Sequence, residues 1–262
     1  MSFESFNSFL RNFAAFASQS FGHRTNWIYF SAIFRIMGKM IEFPSNGTNG
    51  VGYLATPTTS NGKAIVVIQE WWGLVDHIKD VCDRFAALGY LALAPDLYHG
   101  KVATEPDEAG KYMMALEIDK FAKDLSGAVD ELMVRAETSK VGVVGFCMGG
   151  GLALVLAANR PDAVGAVAPF YGVIPWPEAA PDYSAITASI QGHYAEIDDF
   201  APPKVSRGLE RSLVELGKDA EFFVYPNTEH AFFNDARPEV YDAAASNQAW
   251  DRLIPFLEES LR

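Results

Sequence analysis

The sequence predicts an α/β domain with a mostly parallel central sheet and helices on both faces. Three observations predict it. Strand-length apolar runs alternate with helix-length segments from residue 40 onward. Several of those runs are apolar at every position, as strands covered on both faces must be. A cysteine flanked by glycines also stands at a strand-to-helix junction, in Gly145-Phe146-Cys147-Met148-Gly149.

The elements follow in order. Residues 51–55 form a short strand, and the turn-rich stretch 57–62 leads to a buried strand at 64–68. Asp76 can cap the next helix and Gly89 can end it. Residues 90–94 are a buried strand, and the polar stretch 96–108 reads as a loop placed to face substrate. Helical patterns cover 109–117 and 120–136, and a strand of small and β-branched residues covers 141–145. A helix over 149–158 is stopped by Asn159-Arg160-Pro161. A strand at 163–169 precedes a proline-rich loop at 175–181. Strands at 185–192 and 220–225 flank a helix at 204–217, and a helix at 241–261 closes the pattern. Strands separated by helices in this way call for parallel pairing. No repeat and no second core is evident, so residues 40–262 read as one catalytic domain.

With 262 residues the chain can bury a large core. A net charge of −12 argues against nucleic acid and against a general attraction to anionic membranes. Cys82 and Cys147 belong to no CxxC pair and suggest no disulfide framework, so both fit a reducing, cytoplasmic setting. Cys82 lies in an amphipathic stretch at a position expected to be buried.

Residues 1–39 differ from the rest, being rich in Phe and Ser. Arg11, Arg24, Arg35 and Lys39 outnumber the single acid Glu4. Phe6, Phe9, Leu10, Phe13 and Phe16 fall at helical spacing, and the apolar run 27–37 is too short to span a bilayer. The segment fits an amphipathic appendage, an organelle-type presequence, or an upstream extension of a protein starting at Met40. The last is the expectation, because Met40-Ile41-Glu42-Phe43 leads directly into the domain.

Gly145-x-Cys147-x-Gly149 between strand and helix has the pattern of the nucleophile elbow of the α/β-hydrolase fold, with cysteine in the serine position. Glycines relieve crowding on either side of a strained residue. A helix N-terminus also favours a thiolate. In this fold the partners follow in the order nucleophile, acid, histidine. Of five histidines, only His193 and His230 lie beyond Cys147. His230 follows the strand at 220–225, where the fold holds its base. His193 precedes the candidate acids and reads as a packed or hydrogen-bonded strand-end residue. The acid lies among Glu196, Asp198 and Asp199, and spacing alone does not choose among them.

Four stretches together resemble the dienelactone hydrolase (carboxymethylenebutenolidase) family. They are Val67-Ile68-Gln69-Glu70-Trp71-Trp72-Gly73-Leu74, Ala94-Pro95-Asp96-Leu97-Tyr98, Gly145-Phe146-Cys147-Met148-Gly149-Gly150 and Tyr225-Pro226-Asn227-Thr228-Glu229-His230-Ala231-Phe232. The resemblance runs from about Met40 to the C-terminus. It implies a Cys147, His230, Asp198 triad, the aspartate standing four residues before Pro202, with Asp199 as the fallback. It also implies that Glu70 lies near the thiol and helps to deprotonate it. The backbone N–H groups of Trp71 and Met148 would form the oxyanion hole, in keeping with the fold's usual construction.

Two departures stand out. Where family members place arginines to hold a substrate carboxylate, this chain has Gly100 and Asn234. Lys101 and Arg237 lie nearby as substitutes. Ala195 replaces the glycine usual in the acid loop.

The expected activity is cleavage of a small ester or enol-lactone without metal or organic cofactor. His77 and His99 form no metal-spaced cluster and read as solvated or loop residues. Of Trp71 and Trp72, at least one is expected to line an acyl pocket and the other to be core. The expected assembly is a monomer or small homo-oligomer. Thioesterase or other acyl-hydrolase work on the same fold is one alternative. A non-catalytic thiol sensor is another, though a sensor needs no acid–base relay.

Overall fold

The computed structural model describes residues 38–45, 47–174 and 180–262. The expectations for most of residues 1–39, and for most of the proline-rich loop, therefore lie outside the described residues. Eight strands form one sheet in the order β1-β2-β4-β3-β5-β6-β7-β8. They are β1 Lys39–Ser45, β2 Thr48–Ala55, β3 Ala64–Ile68, β4 Leu91–Pro95, β5 Val141–Phe146, β6 Val164–Phe170, β7 Ser189–Ile197 and β8 Ala220–Glu229. The β1–β2 and β2–β4 pairings are antiparallel and the others parallel.

The helices are α1 Asp76–Ala87, α2 Pro106–Met114, α3 Ile118–Ala136, α4 Met148–Asn159, α5 Pro203–Glu215 and α6 Ala243–Ser260. Side-chain alternation along the central strands divides the interior in two. Val66, Ile68 and Val143 join Leu125, Leu152 and Leu213 of α3, α4 and α5 on one face. Ile65, Val67 and Val144 join Ile78, Phe85 and Leu253 of α1 and α6 on the other. Helix α4 is buried from Met148 to Ala158, which accounts for its Ala- and Leu-rich composition. Among the described residues no helix is long and apolar enough to cross a membrane.

Several boundaries differ from the sequence expectation for local reasons. Strand β1 was not expected: it is an edge strand with only Phe43 and Ser45 buried, so its apolar signal is weak. It pairs with a β2 that begins at Thr48 rather than residue 51. Asp76 is not a cap but the first residue of α1, after Val75, and pairs with Lys79 at 3.1 Å. Its charge still suits a helix N-terminus. Gly89, at φ 93°, does follow the end of α1, its N–H donating to Ala86 O. Helix α2 starts inside the stretch read as loop, because Pro106 occupies an N-terminal position that needs no N–H. Strand β7 starts later than expected, since Tyr183–Ala185 forms a turn of 3₁₀ helix. Strand β8 runs on to Glu229, which pairs with Ile197 past a bulge.

The central strands carry the functional end of the molecule. Chain order reverses direction across the sheet between β3 and β5, which lie side by side with Ile68 opposite Gly145. Such switch points, at the C-terminal ends of parallel strands, form crevices. The β5–α4 turn there is very close-packed. A Cβ on Gly145 would come within 2.0 Å of Gly149 O, and one on Gly149 within 2.5 Å of Gln69 O and Ile68 O.

Gly145→Ala is expected to lower the unfolding free energy by about 3 kcal/mol, the upper range for overpacking. Gly110 in α2 has no atom within 4 Å of an added Cβ. Gly110→Ala should therefore stabilise by about 0.5–1 kcal/mol through helix propensity. Urea denaturation midpoints with unchanged slopes check both.

Candidate active site

Cys147 sits at the N-cap of α4 with φ 53° and ψ −119°, a backbone region that side chains rarely adopt. The turn is fixed on both sides. Cys147 N–H donates to Phe170 O at 3.0 Å, and Cys147 O accepts from Gly150 N at 2.9 Å. A Cβ on Gly172 would lie 2.1 Å from Cys147 O, so that position also requires glycine. The thiol is half-buried and opens onto a cavity of about 440 Å³.

His230 follows the end of β8, and its Nδ1–H donates to Asp198 Oδ2 at 2.8 Å. Asp198, buried just beyond β7, uses its other oxygen to accept the amides of Phe200 and Ala201 at 2.8 and 2.9 Å. Asp198, not Asp199, is thus the carboxylate that meets His230. Asp199 lies on the cavity wall, while Glu196 accepts the Asn227 amide at 2.8 Å. Cys147 lies close enough to His230 to act on its proton affinity. Burial pulls the His230 pKa down. The hydrogen bond to Asp198, the neighbouring Cys147 and the negative charge there outweigh it and raise the value to about 10.

Glu70 lies two residues past the end of β3 and is 1% exposed. Tyr171 Oη donates to its Oε1 at 3.2 Å, and Asn234 Nδ2 donates to its Oε2 at 2.8 Å. Both of these donors are neutral. Burial, then the charges of Glu70 and Cys147, push the Tyr171 hydroxyl well above its ordinary value. Tyr171 thus links the two groups electrostatically. Its role was not legible in the sequence beyond its place as a polar residue at the end of an apolar strand. Asn234 was noticed only for the arginine it lacks.

Trp71 and Met148, expected to present backbone N–H groups, both border the cavity beside Cys147. Met148 opens α4, where the first amides have no carbonyl within the helix. Trp71 and Trp72 both line the cavity, edge to face at 5.2 Å, and Trp71 also packs against the core. Phe200, 65% exposed, stands over His230 with ring centroids 5.0 Å apart and forms the cavity's lip. Arg237 reaches the cavity. Lys101 does not: it lines a separate recess of about 130 Å³ with His99, Tyr112 and Lys120. Gly100 is occupied in a turn, its N–H donating to Asp96 Oδ2 at 2.6 Å. Ala195 is buried within β7.

The remaining histidines and the second thiol lie apart from this cluster. Cys82 is buried in α1. His77 is not solvated as expected. It is buried in α1 between Phe146 and Phe233, with Nδ1 3.2 Å from the half-exposed Asp235 carboxylate. His99 pairs with Asp124 at 3.3 Å. His193 is buried within β7, stacked on Phe170 at 4.4 Å. Burial, with a smaller effect of Arg252, lowers its pKa to about 3. The neutral ring then donates from Nε2 to Gln191 Oε1 and accepts the Tyr225 hydroxyl at Nδ1.

Comparison with known proteins agrees with this architecture. A profile described as the dienelactone hydrolase family matches residues 51–261. The protein usf of Aquifex pyrophilus is 39% identical over 234 residues, 86% of this chain and 100% of its own. An inferred carboxymethylenebutenolidase of Aquifex aeolicus is 35% identical over 239 residues, covering 86% of this chain and all of that one. The crystal structure of an inferred dienelactone hydrolase from Klebsiella pneumoniae superposes with a TM-score of 0.77 at 26% identity, over 84% of this chain and 98% of that one. The chain is a member of the dienelactone hydrolase family and has the α/β-hydrolase fold.

Proposed function

We propose that the protein hydrolyses an ester or enol-lactone through a covalent thiolester on Cys147. The observation that carries this reading is the His230–Asp198 pair, 2.8 Å apart, with His230 lining the same apolar cavity as the Cys147 thiol. The name carboxymethylenebutenolidase borne by a relative supports the bond type.

In this mechanism the Cys147 sulfur attacks the carbonyl carbon and the carbonyl oxygen becomes an oxyanion. The N–H groups of Trp71 and Met148 hold that charge. Collapse expels the alkoxide or enolate, which takes the proton from His230. His230 then draws a proton from water, and the resulting hydroxide attacks the thiolester. The acid is released and the thiol group is regenerated. Asp198 fixes the Nδ1–H tautomer, so that Nε2 faces the reacting atoms. His230 starts and ends the cycle protonated. Glu70, held by Tyr171 and Asn234, takes the thiol proton as the sulfur attacks and returns it to the sulfur when the thiolester is cleaved. No step calls on a cofactor. The substrate is a small molecule, and the compartment proposed is the cytoplasm.

Cys147→Ala should lower kcat/KM for 4-nitrophenyl esters and enol-lactones at least about a thousandfold, with an unchanged circular dichroism spectrum. Turnover that survives the substitution would sink the proposal. A second expectation concerns pH. The His230 proton is held more tightly in the folded state, so its stabilising contribution is complete below the unfolded value of about 6.5. It disappears as pH rises through about 10. The stability gap between the protein and His230→Asn should therefore be largest near pH 6 and close towards pH 10. Urea titrations across that range measure it.

A further inference from the structure

The charges around the cavity point to the kind of acyl group it accepts. Trp71, Trp72, Phe200 and Val240 give it apolar walls. Asp199 and Glu229 add negative charge at its border, and Arg237 is the single Lys or Arg among its described lining residues. That guanidinium is already engaged. Arg237 Nε donates to Glu239 Oε1 at 2.9 Å, and the guanidinium carbon stands 5.8 Å from the Trp72 ring. Glu239 lies two residues along the same loop. Its own backbone amide, and then Arg237, hold its carboxyl below the usual carboxylate range, so it stays ionised. The buried carboxylate Glu70 is held by Tyr171 and Asn234 rather than by a cation.

We infer, resting on the hydrolase reading above, that the cavity takes esters or lactones with an uncharged, apolar acyl group, and that Glu239 sets this preference by occupying Arg237. A substrate carboxylate entering here would leave water for aromatic walls. It would approach two like charges and compete for the cavity's one arginine with a carboxylate tethered beside it. An uncharged acyl chain meets none of these costs and gains burial against the tryptophans. The pair is partly exposed, with side chains 33% and 59% accessible, so it is an adjustable bias rather than a fixed barrier.

The test compares 4-nitrophenyl hexanoate with mono-4-nitrophenyl adipate, which have equal acyl length and differ by a terminal carboxylate. Each rate is corrected for hydrolysis without enzyme. The protein should favour hexanoate in kcat/KM by about tenfold or more. Glu239→Gln should raise the adipate value about fivefold, the scale of one exposed ion pair, and move hexanoate less than twofold. Adding Arg237→Gln to that variant should remove the gain. Equal or better use of adipate by the unaltered protein would overturn the inference. So would a Glu239→Gln effect of equal size on both esters, the sign of a merely structural role. Hexanoate turnover surviving Cys147→Ala would instead refute the hydrolase reading, and the inference with it, whatever the ratio.

Discussion

At Gly145 and Gly149 the chain of β5, the start of α4 and the end of β3 approach so closely that no methyl group fits between them. This contact holds Cys147 at positive φ and turns its side chain out over the sheet's end. It also brings Glu70, two residues beyond Ile68, to the same end of the sheet. The strain of the turn is local, and its support is not: carbonyls of β3, β6 and α4 all bear on it. A flexible turn could not keep the proposed nucleophile within reach of a histidine delivered from β8, several strands away.

Apart from His230 at Asp198, the buried polar groups of the site are satisfied by neutral donors. Asp198 takes two amides and an imidazole N–H, Glu70 takes a phenol and a carboxamide, and His193 exchanges hydrogen bonds with Gln191 and Tyr225. Burying a charge is costly unless hydrogen bonds compensate it. At Glu70 neutral donors do so without burying a second charge. His230 and His193 illustrate how environment divides one residue type. Both are on strand ends or strands of the same sheet edge. One meets a carboxylate and a thiol and holds its proton to about pH 10, and the other meets aromatic rings and stays neutral above about pH 3.

Much of the fold was legible because its interior strands are apolar at every position and its helices end in recognisable glycine or proline. Strand β1 was not legible, since an edge strand with two buried side chains leaves almost no periodic trace. In the site, Cys147 and His230 could be picked out by a local pattern and by chain order. Asp198 and Asp199 are neighbours with the same chemistry, and direction separates them: two following amides turn Asp198 inward. Tyr171 and Asn234 could not be read as holders of Glu70. That cluster joins the ends of β3 and β6 with the loop after β8, and no spacing along the chain reports such a meeting. Residues 71 and 72 showed the limit of composition, since both tryptophans face the cavity.

The sheet order has a consequence for how activity is lost. Cys147 stands between a central strand and α4, a helix buried on all sides. His230 and Asp198 lie at the ends of β8, the outermost strand, and of its neighbour β7. Edge elements open at lower free energy than the middle of a sheet. Partial opening at the β8 edge would carry His230 and Asp198 away from Cys147, which stays mounted on an intact core; if the proposed mechanism holds, activity goes with them. The molecule then passes through a state that is folded at its centre and chemically inert. Its thiol remains in place, ready to regain its relay as soon as one strand re-pairs.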